Sequence, residues 1–279
     1  MLRSTALTNK YQQKAIHLTP EGHAVMPSWL NNLGISFRLR SECTGDLADI
    51  SDAISYQQKA VHLTPEGHAH MPSQLNNLGI SFQSRFGHTG DLADISDAIS
   101  YQQKAVHLTP EGHVDMPSRL NNLGISFQSR FERTGDLADI SDAISFQQKA
   151  VHLTPEGHPD MPSQLNNLGN SFQNRFKHTG DLADISDAIS YQQKAIHLTP
   201  EGHAVMPSRL NNLGISFRLC FECTGDLANI SDAISYQQKA VHLTPEGHVD
   251  MPTHLNNLGI SFQSRFKQTE DVADISDAI

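Results

Sequence analysis

The sequence predicts an all-α protein, a solenoid of stacked antiparallel helix pairs, and three observations lead there. A 45-residue phrase returns six times along the 279 residues. Each period carries two apolar stripes at helical spacing, and no stretch alternates in the way a strand would. The phrase Tyr-Gln-Gln-Lys-Ala opens at Tyr11, Tyr56, Tyr101, Tyr191 and Tyr236, with Phe146 heading the fourth copy. The copies fill residues 11–55, 56–100, 101–145, 146–190, 191–235 and 236–279, after an N-terminal extension over 1–10. Copies two and three differ at only five of 45 positions, and the matches include polar pairs such as Gln57-Gln58 that no core demands, so the array grew by recent duplication.

The elements follow in order within a copy. Pro27 suits the first turn of a helix A, where its missing N–H has no partner to lose, and Leu30, Leu33 and Phe37 follow at spacings of three and four. Helix A runs to about Glu42, where Thr44-Gly45 supplies the stop. Asp46 caps a helix B, with Asp49 in capping-box position and Asp52 adding negative charge near the positive end of the dipole. Leu47, Ile50, Ile54 and Val61 are its expected buried stripe. Ala53 and Ala60 are small enough to let a neighbouring helix approach, and Thr64-Pro65-Glu66-Gly67 ends it. Neither helix covers its apolar face alone, so each hairpin must stack on the next. The chain begins on a lone B-type segment over 11–18 and stops inside the last helix B; these uncapped ends predict either a piece of a longer array or end-to-end self-association.

Composition narrows the function. A hydrophobic content of 38% suits a thin, extended fold better than a deep closed core, and 20 basic against 30 acidic residues, a net charge of -10, argues against nucleic acid and anionic membranes as partners. There is no long apolar run, and Met1 to Lys10 lacks the features of a signal peptide, which predicts a cytoplasmic protein. Cys43, Cys220 and Cys223 form no disulfide framework.

Leu30, Leu33-Gly34 and Phe37, then Ala53, Ala60 and Pro65, recur in every full copy and resemble the tetratricopeptide (TPR) consensus. The resemblance covers residues 11–279. The repeat is longer than the usual one of about 34 residues, as in kinesin light chains. Leu-Asn-Asn-Leu-Gly, Gly-Asp-Leu-Ala-Asp and Leu-Thr-Pro-Glu-Gly-His are more similar still to arrays of fungal proteins that carry a caspase-like CHAT domain or a nucleotide-binding switch domain. Gln57 departs from the pattern by standing where the family usually has an aromatic residue, just after Tyr56. The resemblance implies a right-handed superhelix whose concave surface is lined by helix A.

On that surface the resemblance places two asparagine columns: Asn32, Asn77, Asn122, Asn167, Asn212 and Asn257, beside Asn31, Asn76, Asn121, Asn166, Asn211 and Asn256. An amide both donates and accepts, so evenly spaced amides can hold the N–H and C=O groups of an extended peptide whatever its side chains. Equally, they can bond the adjacent repeat and fix the stack. The Ile35 column is either an apolar strip along the groove, interrupted by Asn170, or packing against the next helix A, and the second is the favoured reading. Specificity is expected from columns that differ between copies: Trp29, Gln74, Arg119, Gln164, Arg209 and His254, and nearer the groove centre Leu39, Ser84, Ser129, Asn174, Leu219 and Ser264. Trp29, Arg119 and Arg209 are the expected anchors. The helix A column Arg40, Arg85, Arg130, Arg175 and Arg265 predicts a groove less negative than the back, favouring acidic or neutral ligands.

Other signals look catalytic without supporting catalysis. Twelve of sixteen histidines fall in two columns, such as His17 and His23, but members of a column lie a repeat apart and no Cys or carboxylate set completes a ligand sphere, so no metal or other cofactor is expected. Cys220-Phe-Glu-Cys223 has no second pair for zinc and lies at a helix C-terminus, where the dipole disfavours a thiolate. Asn229-Ile-Ser231 matches a glycosylation acceptor within a helix. No nucleophile with a base and an acid stands outside the columns. The sequence thus predicts a non-enzymatic scaffold that binds an extended peptide or helix of a partner protein. The alternative is the ligand-sensing segment of a larger signalling receptor whose CHAT or nucleotide-switch effector lies outside this chain.

Overall fold

The computed structural model describes the backbone of residues 2–20 and 22–270, with side chains from Asn9 onward. These residues form helices and turns and no strand. The A helices are α2 (Met26–Thr44), α4 (Met71–Thr89), α6 (Met116–Thr134), α8 (Met161–Thr179), α10 (Met206–Thr224) and α12 (Met251–Thr269). The B helices are α1 (Leu2–Leu18), α3 (Leu47–Leu63), α5 (Leu92–His107), α7 (Leu137–Leu153), α9 (Leu182–His197) and α11 (Leu227–Leu243). The lone B-type segment expected over 11–18 is thus the end of a helix that already begins at Leu2, within the extension. The last helix B, over 271–279, lies outside the described residues.

Local chemistry sets each boundary. Helix A carries Pro in its first turn and closes on a left-handed residue, Gly45 at φ 72°, whose N–H returns to Ser41 O at 2.7 Å. Asp46 caps helix B by accepting from Ala48 N at 2.9 Å, as the sequence predicts. Asp49 does not reach back to complete a capping box. Buried and 3% exposed, it takes both ends of the Arg40 guanidinium instead, and Asp94, Asp139 and Asp184 do the same with Arg85, Arg130 and Arg175.

The expected stripe of helix B also needs correction at its first member. Leu47 is 46% exposed, whereas Ile50, Ala53, Ile54 and Ala60 are buried and Gln57 joins them at 0%. Helix packing places Gln57 directly over Gly34: a Cβ at Gly34 would stand 2.5 Å from Gln57 Cγ and 2.9 Å from Ala53 O. Glycine is what lets helices A and B come this close. The aromatic role falls to the preceding residue, for Tyr56 stacks on Phe37 with ring centroids 5.5 Å apart, and Phe82–Tyr101, Phe127–Phe146, Phe172–Tyr191 and Phe217–Tyr236 repeat the stack. Arg40 lies over the Phe37 ring and Lys59 over the Tyr56 ring.

The chain divides into two compact units, Met1–Ala150 and Val151–Ile279, the division falling inside α7. In the first unit α2 packs on α3 and α4 on α5, α3 passes its other side to α4, and the backbones of α2 and α4 approach each other directly while those of α3 and α5 stay further apart. In the second, α10 meets both α8 and α12, and α9 and α11 stay apart. Within each unit the A helices are therefore the closely spaced row.

Candidate protein-interaction face of the A helices

Close spacing of the A helices joins the two asparagine columns. Asn77 Nδ2 donates to Asn31 Oδ1 at 3.3 Å, Asn122 to Asn76 at 3.3 Å, and Asn257 to Asn211 at 3.1 Å. The adjacent repeat is bonded through amides rather than through a carbonyl of its backbone. Each such rung uses one acceptor and one donor, leaving the Asn31 amide N–H groups and the Asn77 Oδ1 acceptor outside the rung. Asn32 is exposed and Asn77, Asn122 and Asn212 are half-buried, while Asn31 and Asn211 are buried. The rung from Asn212 to Asn166 is not made: Asn166 Oδ1 is buried without a partner, and Gln173 Nε2 approaches the Asn212 carbonyl at 3.3 Å. Asn121 and Asn167 both have partners, and Asn256 is exposed.

Asn170 is half-buried and bonds toward helix B. Its Oδ1 accepts from Gln192 Nε2 at 3.0 Å, and the chain of bonds continues from Ser216 Oγ to Gln192 Oε1 at 2.7 Å and from Gln173 Nε2 to Ser216 Oγ at 2.7 Å. This is the one described copy in which the buried helix B glutamine is satisfied, since Gln57, Gln102, Gln147 and Gln237 have both amide atoms buried and unpartnered.

The expected anchors Arg119 and Arg209 also turn inward, at 4% and 7% exposure. Arg119 donates to Thr109 Oγ1 and, at 2.8 Å, to Ser73 Oγ of the preceding copy, and pairs with Asp115; Arg209 donates to Thr199 and Ser163 in the same way. Gln74 and Gln164 bond Thr64 and Thr154, and His254 Nδ1 lies 2.9 Å from Thr244 Oγ1. This column seals the joint between copies, so its variation changes the joint and not the surface. Desolvation holds the Arg119 and Arg209 pKa values below the usual arginine range and pushes that of His254 down. Trp29 alone of the column is exposed.

The Arg40 column does not lend the face free positive charge either, because Arg40, Arg85, Arg130 and Arg175 are neutralised by the carboxylates of helix B. In the fifth copy both partners change: Cys220 stands in the arginine column and Asn229 in the aspartate column, with Asn229 Nδ2 3.5 Å from Cys220 Sγ. Burial raises the Cys220 thiol pKa.

The loop histidines have a backbone task that sequence reasoning missed. His68 Nδ1 accepts from His70 N at 3.2 Å, and His23, His113, His158, His203 and His248 accept likewise from the residue two further on, the N-cap of each helix A. The helix A N-caps make no side-chain cap bond of their own. The signal was present in the fixed spacing of His68 before Pro72. Among the described residues no group of three or more His, Cys, Asp or Glu is placed to hold a metal ion, and no helix is long and apolar enough to cross a membrane.

Paired antiparallel helices stacked through an A-helix row define the fold of a TPR-like α-solenoid. Solved structures agree. A putative kinesin light chain of Podosopora anserina with nearly identical TPR-like repeats superposes with a TM-score of 0.54 at 11% identity, covering 74% of this chain and 94% of that one. BtubC (BKLC) of P. vanneervenii gives 0.56 at 18% identity, over 83% and 87%. PilF of Pseudomonas aeruginosa gives 0.57 at 14% identity, over 90% and 88%. At these identities the likeness is one of fold. No protein-family profile matches the sequence, and no curated protein is significantly similar to it.

Proposed function

We propose that the chain is a protein-interaction scaffold and that its A-helix row holds an extended peptide of a partner by the peptide's backbone. The observation that carries this reading is the asparagine rung. Bonded across copies at 3.1 to 3.3 Å, each pair of amides is held in place and still offers a donor and an acceptor side by side, the combination that a peptide N–H and C=O require. Pre-positioning matters because a freely rotating Asn would lose rotamer entropy on binding. The rung also answers to the second role of these residues, since each adds a hydrogen bond between copies.

Simultaneous Asn77→Ala, Asn122→Ala and Asn167→Ala separates the roles. Capture of a random nonapeptide library should fall by about tenfold or more, with the far-ultraviolet circular dichroism spectrum retained. Peptide capture that survives while the melting temperature falls would assign the amides to the stack and remove the proposal.

A further inference from the structure

We propose that the cleft between the C-terminal turns of α4 and α6 is a specificity pocket, in which Arg133 takes the carboxylate of an internal Asp or Glu side chain of the bound peptide. The inference rests on the peptide reading above and adds to it a residue and a chemistry.

The first argument comes from comparing the copies with one another. On helix B the exposed residues Ser51, Asp52, Ser55, Gln58, Lys59 and His62 are the same in the five copies from α3 to α11, so exposure alone has not let residues diverge on these helices. The five differences between copies two and three fall elsewhere. Three, at Ala69/Val114, His70/Asp115 and Gln74/Arg119, lie in the loop before helix A and at the sealed joint. The other two, Gly87/Glu132 and His88/Arg133, supply four residues that all line a single cleft of about 630 Å³. Gly87 helps to open it, for the other copies place Glu42, Glu132, Lys177, Glu222 or Lys267 at that position, and a Cβ there would meet nothing within 4 Å.

The second argument is the state of Arg133. Among the described side chains it is the arginine with neither a hydrogen bond nor an ion pair: Arg38, Arg40, Arg85, Arg119, Arg130, Arg175 and Arg218 pair with carboxylates, Arg209 bonds hydroxyls, and Arg265 is engaged. Its guanidinium reaches back across the cleft, with Nη2 3.7 Å from where a Gly90 Cβ would stand. The side chains of Gln83, Ser84 and His88, on the facing wall, likewise make no hydrogen bond and are all able to donate. The acidic group of the cleft, Glu132, accepts from Gln128 at 2.9 Å. The helix C-termini here carry about half a negative charge each, their end carbonyls partly engaged by Gly90 N and Gly135 N, and Glu132 keeps its own charge, so the pull on a carboxylate comes from direct contact with the unpaired Arg133 guanidinium and not from the overall charge of the cleft. A carboxylate is the group that an unpaired guanidinium fits in bidentate geometry.

The third is register. Asn122, Ser129 and Arg133 are spaced seven and four along α6, so they share a face, with Arg133 about 16 Å along the helix beyond Asn122, a distance that about five extended residues of a peptide cross.

The test uses the full chain and a nonapeptide library displayed through its C-terminus, so that no peptide has a free terminal carboxylate. Wild type should enrich Asp or Glu at one position by about tenfold over Asn or Gln. Arg133→Gln should abolish that enrichment while still capturing peptides, and the triple asparagine variant should lose capture of the library as a whole. Peptides captured by wild type without an acidic preference, or an acidic preference that survives R133Q, would overturn the pocket and leave the backbone reading standing. A preference that appears only when peptides present a free C-terminus would overturn the internal side chain as its source. Capture of nothing by wild type would overturn the peptide reading itself, and the pocket with it.

Discussion

Cys220 and Asn229 show how a single residue's cost is set by what faces it. In the other described copies a half-buried Arg and a buried Asp at these positions form a bidentate pair; changing one partner alone would strand a charge, whereas the fifth copy has changed both to neutral groups. Asn229→Asp alone should therefore destabilise the chain by about 1–3 kcal/mol, and Cys220→Arg added to it should recover most of the loss. A double-mutant cycle from urea melts checks this, and additive effects would refute the coupling. His254 makes a different prediction. Desolvation lowers its folded-state pKa, opposed by Asp250 and assisted by His248, so the unfolded chain binds the proton first. Its contribution is thus full above the unfolded value of about 6.5 and is lost as pH falls through the interval below it. His254→Gln, which copies the Gln74 and Gln164 joints, should flatten that part of the stability curve; an unchanged pH profile would remove His254 as the cause.

At the scale of the element, helix B is the case where tertiary context overrides its own pattern. Leu47 reads as core by spacing, yet it is the first residue of the helix and stays half in water. Gln57 reads as polar, yet the glycine of helix A brings it to full burial with no partner for its amide. A buried unpaired amide costs about 1–3 kcal/mol, so Gln102→Met, close in volume and free of polar atoms, should raise the denaturation midpoint. Gln192→Met should lower it, because Asn170 and Ser216 would lose the partner that satisfies them. Equal shifts in the two variants would mean that the orphaned glutamines find partners in solution. A larger loss is expected for Gly79→Ala, where a Cβ would stand 2.6 Å from Gln102 Cγ and 3.0 Å from the Ala98 carbonyl.

At the scale of the whole molecule, the helix pairs that pack within each unit are hairpin partners or members of neighbouring copies. Removing copy three, residues 101–145, in frame should then leave helicity per residue unchanged and reduce the urea m-value about in proportion to length. Loss of helicity out of proportion, followed by circular dichroism, would show that the array depends on longer-range contacts. The repeat length, the two helices, their caps and the TPR-like pairing were legible in the residues because they follow from local spacing, from proline and glycine geometry, and from apolar periodicity, all of which act within one copy. The candidate site was legible only in part. The asparagine columns were visible as columns, but that they bond each other, that Arg119 and Arg209 turn into the joint, that the Arg40 column is spent on Asp49 and its equivalents, and that Arg133 is left free all depend on what the next helix brings opposite them. Sequence determines which groups a helix face carries; only packing between copies decides which of those groups are already satisfied, and an interaction surface is made from the ones that are not.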